Sequence, residues 1–126
     1  MRITCLIAVL LLGACVTPPP KGIEKVRIDL RRVDADGYEG PPAGKRAVNY
    51  QFCVPNTIEK RMEINELDPA AKFESEVAGR AGCTADEILV LTSTQAPQWR
   101  GRLEAIAALP YVKSIRRTPL ATVSMP

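Results

Sequence analysis

Residues 47–57, Ala-Val-Asn-Tyr-Gln-Phe-Cys-Val-Pro-Asn-Thr, restrict the possible folds more than any other run in the chain. Val48, Tyr50, Phe52 and Val54 alternate with Ala47, Asn49, Gln51 and Cys53, the period of two that gives a strand one apolar face. Pro55 has no amide to give a ladder and stops it. Asn56-Thr57-Ile58-Glu59 then offers a cap residue with a carboxylate three positions on, the pattern of a helix start. The run predicts a strand over 47–54 turning directly into a helix over 57–67. Ile58, Met62 and either Ile64 or Leu67 are its expected core residues, and Asp68-Pro69 its stop.

The other elements hang on this turn. Residues 24–33 set Val26, Ile28 and Leu30 against Arg27, Asp29 and Arg31, which predicts an extra strand with one wet face. Its place is either the sheet edge, which charge protects, or a long-looped hairpin with 47–54. Residues 34–45 hold three of the chain's eight glycines and two prolines, and read as a loop. Asp34-Ala35-Asp36-Gly37 looks like a fragment of a calcium loop but lacks the third acidic ligand and the closing Glu, so turn chemistry is the better reading. Residues 71–77 read as a short strand and Gly79-Arg80-Ala81-Gly82 as a bend. Residues 87–94, apolar on both faces at Ile88-Leu89-Val90-Leu91, read as an inner strand. Pro97 suits a first helical turn. Trp99, Leu103 and Ile106, widened by Ala107, form the core stripe of a second helix that Pro110 closes, with a last strand over 111–117.

Setting residues 24–33 aside, the order is strand, helix, strand, strand, helix, strand. The expected class is α+β, a split βαβ (ferredoxin-like) sandwich: an antiparallel sheet with two helices on one face plus one extra N-terminal strand. With 126 residues the chain has length for one such core.

Arg2, the apolar run 5–12 and Leu12-Gly13-Ala14-Cys15 have the order of a secretory signal, too short to span a bilayer. The tetrapeptide resembles the lipobox of bacterial lipoproteins. That resemblance implies cleavage before Cys15, acylation of its thiol and new amine, and a membrane attachment that two or three acyl chains make durable. In that family an Asp after the modified Cys marks inner-membrane retention, so Val16 implies an outer-membrane protein facing the periplasm in a Gram-negative cell. Val-Thr-Pro-Pro-Pro-Lys-Gly, residues 16–22, follows as a stiff polyproline-biased tether. The expected organisation is a signal peptide over 1–14, a lipidated tether over 15–23, the folded domain over 24–118 and a tail over 119–126. In an exported chain of this topology Cys53 and Cys83 fall at the same end of neighbouring strands and are expected to form a disulfide. Closing that loop should contribute roughly 3 to 4 kcal/mol.

The chain has no histidine, which removes the commonest general base, the usual partner of a nucleophilic Ser or Cys, and the commonest zinc ligand. With Cys15 acylated and the other mature thiols paired, no cysteine nucleophile remains. The carboxylate pairs Asp86/Glu87 and Glu74/Glu76 have polar-surface explanations. The expectation is therefore no enzyme, no metal and no cofactor. Removing the signal takes Arg2 from the 17 Lys and Arg, leaving the mature chain nearly balanced against its 14 acidic groups. Residues 91–126 remain basic, with Glu104 alone against Arg100, Arg102, Lys113, Arg116 and Arg117, a surface able to meet anionic polymers or lipid.

The reading that follows is a lipid-anchored envelope protein acting as a binding or assembly module. Its partners are the membrane, through Cys15, and an envelope protein; nucleic acid is not expected. The partner surface is expected at Leu89 and Leu91, on the sheet face the helices leave bare, and at Thr118, Pro119 and Leu120 in the tail. Residues 103–117 are also similar to the closing helix and strand of subtilisin-propeptide-type protease inhibitors. That resemblance implies a second reading in which Thr118 to Leu120 enter a protease cleft. A passive structural lipoprotein is the third.

Overall fold

In the computed structural model, residues 18–119 are described; Cys15, its signal peptide and Leu120 onward lie outside the described residues. The architecture is α+β. β1 (Tyr38–Glu39) and β2 (Arg46–Ala47) form a small antiparallel hairpin. A second antiparallel sheet joins β3 (Asn49–Pro55), β4 (Lys72–Glu74), β5 (Glu87–Ser93) and β6 (Arg116–Arg117) in the order β4-β5-β3-β6. Two helices accompany it, α1 (Ile58–Leu67) after β3 and α2 (Trp99–Ala107) after β5.

The expected central strand is present. β3 and β5 pair over their full lengths, with Phe52 opposite Val90 and Cys53 opposite Leu89. Alternation then sorts the side chains. Tyr50, Phe52 and Val54 join Ile88 and Val90 in the main core, where α1 supplies Ile64 and α2 supplies Trp99, Leu103, Ile106 and Ala107. The α2 stripe is the one its spacing predicts. On the other side of the sheet Leu89 belongs to a second, smaller cluster with Ala78 and Cys83.

Several expectations are corrected. Residues 24–33 are not a strand. They form two 3-10 turns, Ile23–Lys25 and Leu30–Arg32, and a single parallel bridge from Val26 to Ile115. The Asp29 carboxylate accepts the Arg31 amide at 3.2 Å, and this local bond curls the backbone where alternation alone would extend it. The bridge also settles the neighbour: this segment lies beside Ile115, just ahead of β6, and not against β3.

Helix α1 is capped by Thr57 and not by Asn56, the Thr57 hydroxyl accepting the Lys60 amide at 3.3 Å. Its outward face carries Ile58 and Met62, 61% and 58% exposed, while Ile64 is fully buried. Residues 60, 63, 64 and 67 share the inward side. There Glu63 accepts the Tyr111 hydroxyl at 2.5 Å and the Lys60 ammonium lies 4.7 Å from the Tyr111 ring centre. Those partners, with Ile64 in the core, turn the Ile58–Met62 side outward. Pro97, in turn, lies ahead of α2, which begins at Trp99 after Gln98 in the left-handed region at φ 55°.

Gly22, the last residue of the expected tether, is packed against the end of α2: a Cβ there would come within 2.0 Å of the Ala107 carbonyl oxygen. Its φ of 82° also suits glycine. The tether therefore reaches the fold before residue 23.

Candidate functional site

The loop between β4 and β5 crosses the sheet face that the helices do not cover. Its path is set by a helix-like turn over residues 77–82. The Cys83 amide donates to the Ala78 carbonyl at 2.9 Å and the Gly82 amide to the Gly79 carbonyl at 3.1 Å, with Gly82 at φ 93°. These are the two bonds of a Schellman ending, for which glycine is the residue of least strain. The turn delivers Cys83 to Cys53, and the two form a disulfide with Cα atoms 5.5 Å apart. The predicted bridge is thus present. It staples the loop across a face that alternation would otherwise leave open.

A cavity of about 130 Å³ remains beside the staple. Gln51 and Cys53 of β3, Leu89 of β5, Gly82 of the loop and Lys113 and Ser114 ahead of β6 are among its walls. Gln51 is 5% exposed, and its Oε1 has no hydrogen-bond partner among the described residues. At the rim Arg116 donates to the Ala81 carbonyl at 2.5 Å, and Glu87 accepts the Thr84 amide at 2.8 Å. Among the described residues Lys113 makes no ion pair. With Lys113 and Arg116 against Glu87, the cleft carries a net positive charge.

The expected partner residues separate in space. Leu89 is fully buried under the loop, a correction to its expected place on a bare face, and takes part only as a wall of the cleft. Leu91 is half-buried and packs against the same small cluster. Thr118 is buried and its amide donates to the Asn49 carbonyl at 2.8 Å, so it extends the sheet and does not begin a free tail. Pro119 is exposed, and Leu120 lies outside the described residues. Sequence reasoning missed the cleft and its amide wall at Gln51; the one available signal was a Gln on a central strand, between the two apolar positions Tyr50 and Phe52.

A second polar cluster lies on the helix side. Asp68, 1% exposed at the end of α1, accepts the Thr92 hydroxyl, the Ala70 amide at 3.1 Å and the Arg102 guanidinium at 3.4 Å. Burial, and then the Asp68 charge, push the neighbouring Tyr50 hydroxyl well above its ordinary value. With both carboxylate oxygens engaged, this group ties the end of α1 to β5 and α2. One carboxylate of each acidic pair singled out from the sequence is bound locally: Glu74 accepts the Glu76 amide at 3.1 Å and Glu87 accepts that of Thr84 at 2.8 Å. Asp34 accepts the amides of Asp36 and Tyr38, both at 3.0 Å, the turn chemistry expected of that loop.

No protein-family model, curated protein or solved structure matches the chain.

Proposed function

We propose that the chain is an exported, lipid-anchored protein of the bacterial envelope that works by binding, through the cleft beside its disulfide, and not by catalysis. The observation that carries this reading is the Cys53–Cys83 bridge. Such bonds persist in oxidising compartments, where a lipobox ending at Cys15 would deliver the domain. Acylation of Cys15 would tie it to the membrane, in a Gram-negative cell to the outer membrane facing the periplasm. The sheet order β4-β5-β3-β6 and the strand-helix-strand-strand-helix-strand sequence support assignment to the split βαβ, ferredoxin-like type. Binding is favoured over catalysis because Glu87, the carboxylate lining the cleft, accepts a local amide and the chain has no histidine to act as base.

The address is tested by expressing the full-length protein in a bacterial host fed an alkyne-tagged fatty acid. The wild type is expected to carry the label and sediment with membranes, and Cys15→Ser to lose both. An unlabelled wild type in the soluble fraction would overturn the anchor.

A further inference from the structure

The cleft lies where a β-ladder stops early. Asn56 donates to the Asp86 carbonyl at one end of the β3–β5 pair and Thr94 to the Val48 carbonyl at the other, at 2.8 and 2.9 Å. The even-numbered peptide groups of β3 therefore face β5, and those of Asn49, Gln51 and Cys53 face the β6 side. The Asn49 carbonyl takes the Thr118 amide and Gln51 is paired with Arg116. There the pairing ends. Ser114, next in register opposite Cys53, makes no backbone hydrogen bond to it among the described residues. The N–H and C=O of Cys53 are left facing the gap that Lys113 and Ser114 wall on the other side.

The buried side chain of Gln51 adds an amide to that wall. Its Oε1 lacks a partner among the described residues, and a half-turn of the amide exchanges acceptor for donor. Leu89 and the disulfide supply an apolar flank, and Lys113 and Arg116 a cationic rim. An occupant matched to these groups has an amide of its own, to continue the interrupted ladder, and a negative charge within one residue of it. At about 130 Å³ the space is well under the roughly 300–1,000 Å³ of drug-sized pockets. It limits the occupant to about one residue.

We propose that the cleft binds an acylated α-amino carboxylate, the chemistry of the last residue of a peptide chain. Its amide bonds to the Cys53 peptide groups and the Gln51 side chain, and its carboxylate lies against Lys113 and Arg116. Edge pairing and capture of a terminal carboxylate are both established ways of recognising peptides. This inference rests on the binding role proposed above and narrows it to a ligand class.

The test is a titration of the full-length, 15N-labelled protein in detergent micelles with N-acetylglycine, N-acetylglycinamide and acetate, followed by NMR. N-acetylglycine is expected to shift the backbone amides of Cys53 and Ser114 and the Gln51 side-chain amide saturably. The two partial ligands should bind about tenfold more weakly or worse, since each lacks either the charge-assisted bond or the amide. Lys113→Ala should weaken N-acetylglycine about tenfold and leave N-acetylglycinamide unchanged, and because Lys113 is exposed the variant should melt with the wild type. Acetyl-Ala-Ala-Gly binding more tightly than N-acetylglycine would assign a chain end as the source; equal binding would assign a free acylated amino acid. Equal shifts from all three simple probes would overturn the ligand class while leaving a binding cleft in place. No shifts at these positions would overturn the site itself, and neither result bears on the anchor at Cys15.

Discussion

The two faces of the sheet are built from alternate residues of the same two strands, yet they are closed in different ways. On one, Tyr50, Phe52, Val54, Ile88 and Val90 meet two helices, and the core extends through Leu103, Ile106, Val112 and Ile115, all fully buried. On the other, Leu89 meets Ala78 and Cys83, with Val77, Ala81, Cys53 and Leu91 partly buried around them, under a loop with neither helix nor strand, and a cavity remains. Apolar burial accumulates with area, and helices bring a great deal of it. A loop that packs only two alanines and a valine beside its cysteine brings little, so a covalent link holds it in place.

The contrast predicts where the protein is most easily damaged. Leu103→Ala opens a hole in the middle of the helix side and should cost about 4 kcal/mol, read as a lower midpoint in urea with an unchanged slope. A loss below about 1 kcal/mol would mean that this face is not the principal core. Replacing Cys53 and Cys83 together by Ala should cost about 3 kcal/mol, on the entropy of a loop spanning 30 residues. The distinguishing readout is local. Amide exchange should quicken across residues 75–86 with the helix-side amides still protected, because the staple holds one loop and not the main core. Uniform loss of protection would erase the difference between the faces.

The helix side was largely legible before any coordinates because its signals are periodic. The alternation over 47–54, the apolar run at 88–91 and the Trp99–Leu103–Ile106 spacing each repeat often enough to outvote local exceptions. The disulfide was legible for a different reason: once the strand order is guessed, it brings Cys53 and Cys83 to one end of adjacent strands. Two short patterns misled. Val26, Ile28 and Leu30 alternate, but one Asp29 side chain closing a local turn is enough to redirect three residues of backbone. Ile58 and Met62 have helical spacing, yet α1 is oriented by its cap at Thr57 and by what Lys60, Glu63 and Ile64 find on the inward side. The cleft depends on where the β3–β6 pairing stops, a contact between residues some sixty positions apart that leaves no local trace. The Gly79–Gly82 bend was read correctly as a turn, but its consequence, a roof over Leu89, needed the third dimension.

A smaller effect should separate the faces under acid. Glu39 of the hairpin is paired with Arg117 of β6 through two hydrogen bonds, and that guanidinium holds its carboxyl below the ordinary glutamate value of 4.5. A depressed folded-state value means that the pair's contribution is complete above 4.5 and is lost as pH falls through the lower folded value. Between pH 5 and 3 the wild type should therefore lose more stability than Glu39→Gln, by thermal melting across that range. Parallel curves would show that the pair is screened and holds nothing.

The smallest effect belongs to the outward side of α1. Met62 is more than half exposed and Ile64 is fully buried, two positions on in the same helix. Met62→Gln keeps the unbranched stem and a good helix former, so its expected cost is within about 0.5 kcal/mol. Ile64→Ala should cost about 2 kcal/mol or more. The pair measures the rotation of α1 directly, since a helix turned by half a circle would exchange the two values. It also bears on the contrast between the faces: α1 closes its side of the sheet with the fully buried Ile64, the partly buried Leu67, and Lys60 and Glu63 held at Tyr111. If Met62 proved as costly as Ile64, α1 would be covered on both sides in solution, and the surface near Ile58 would have to be counted as an interface.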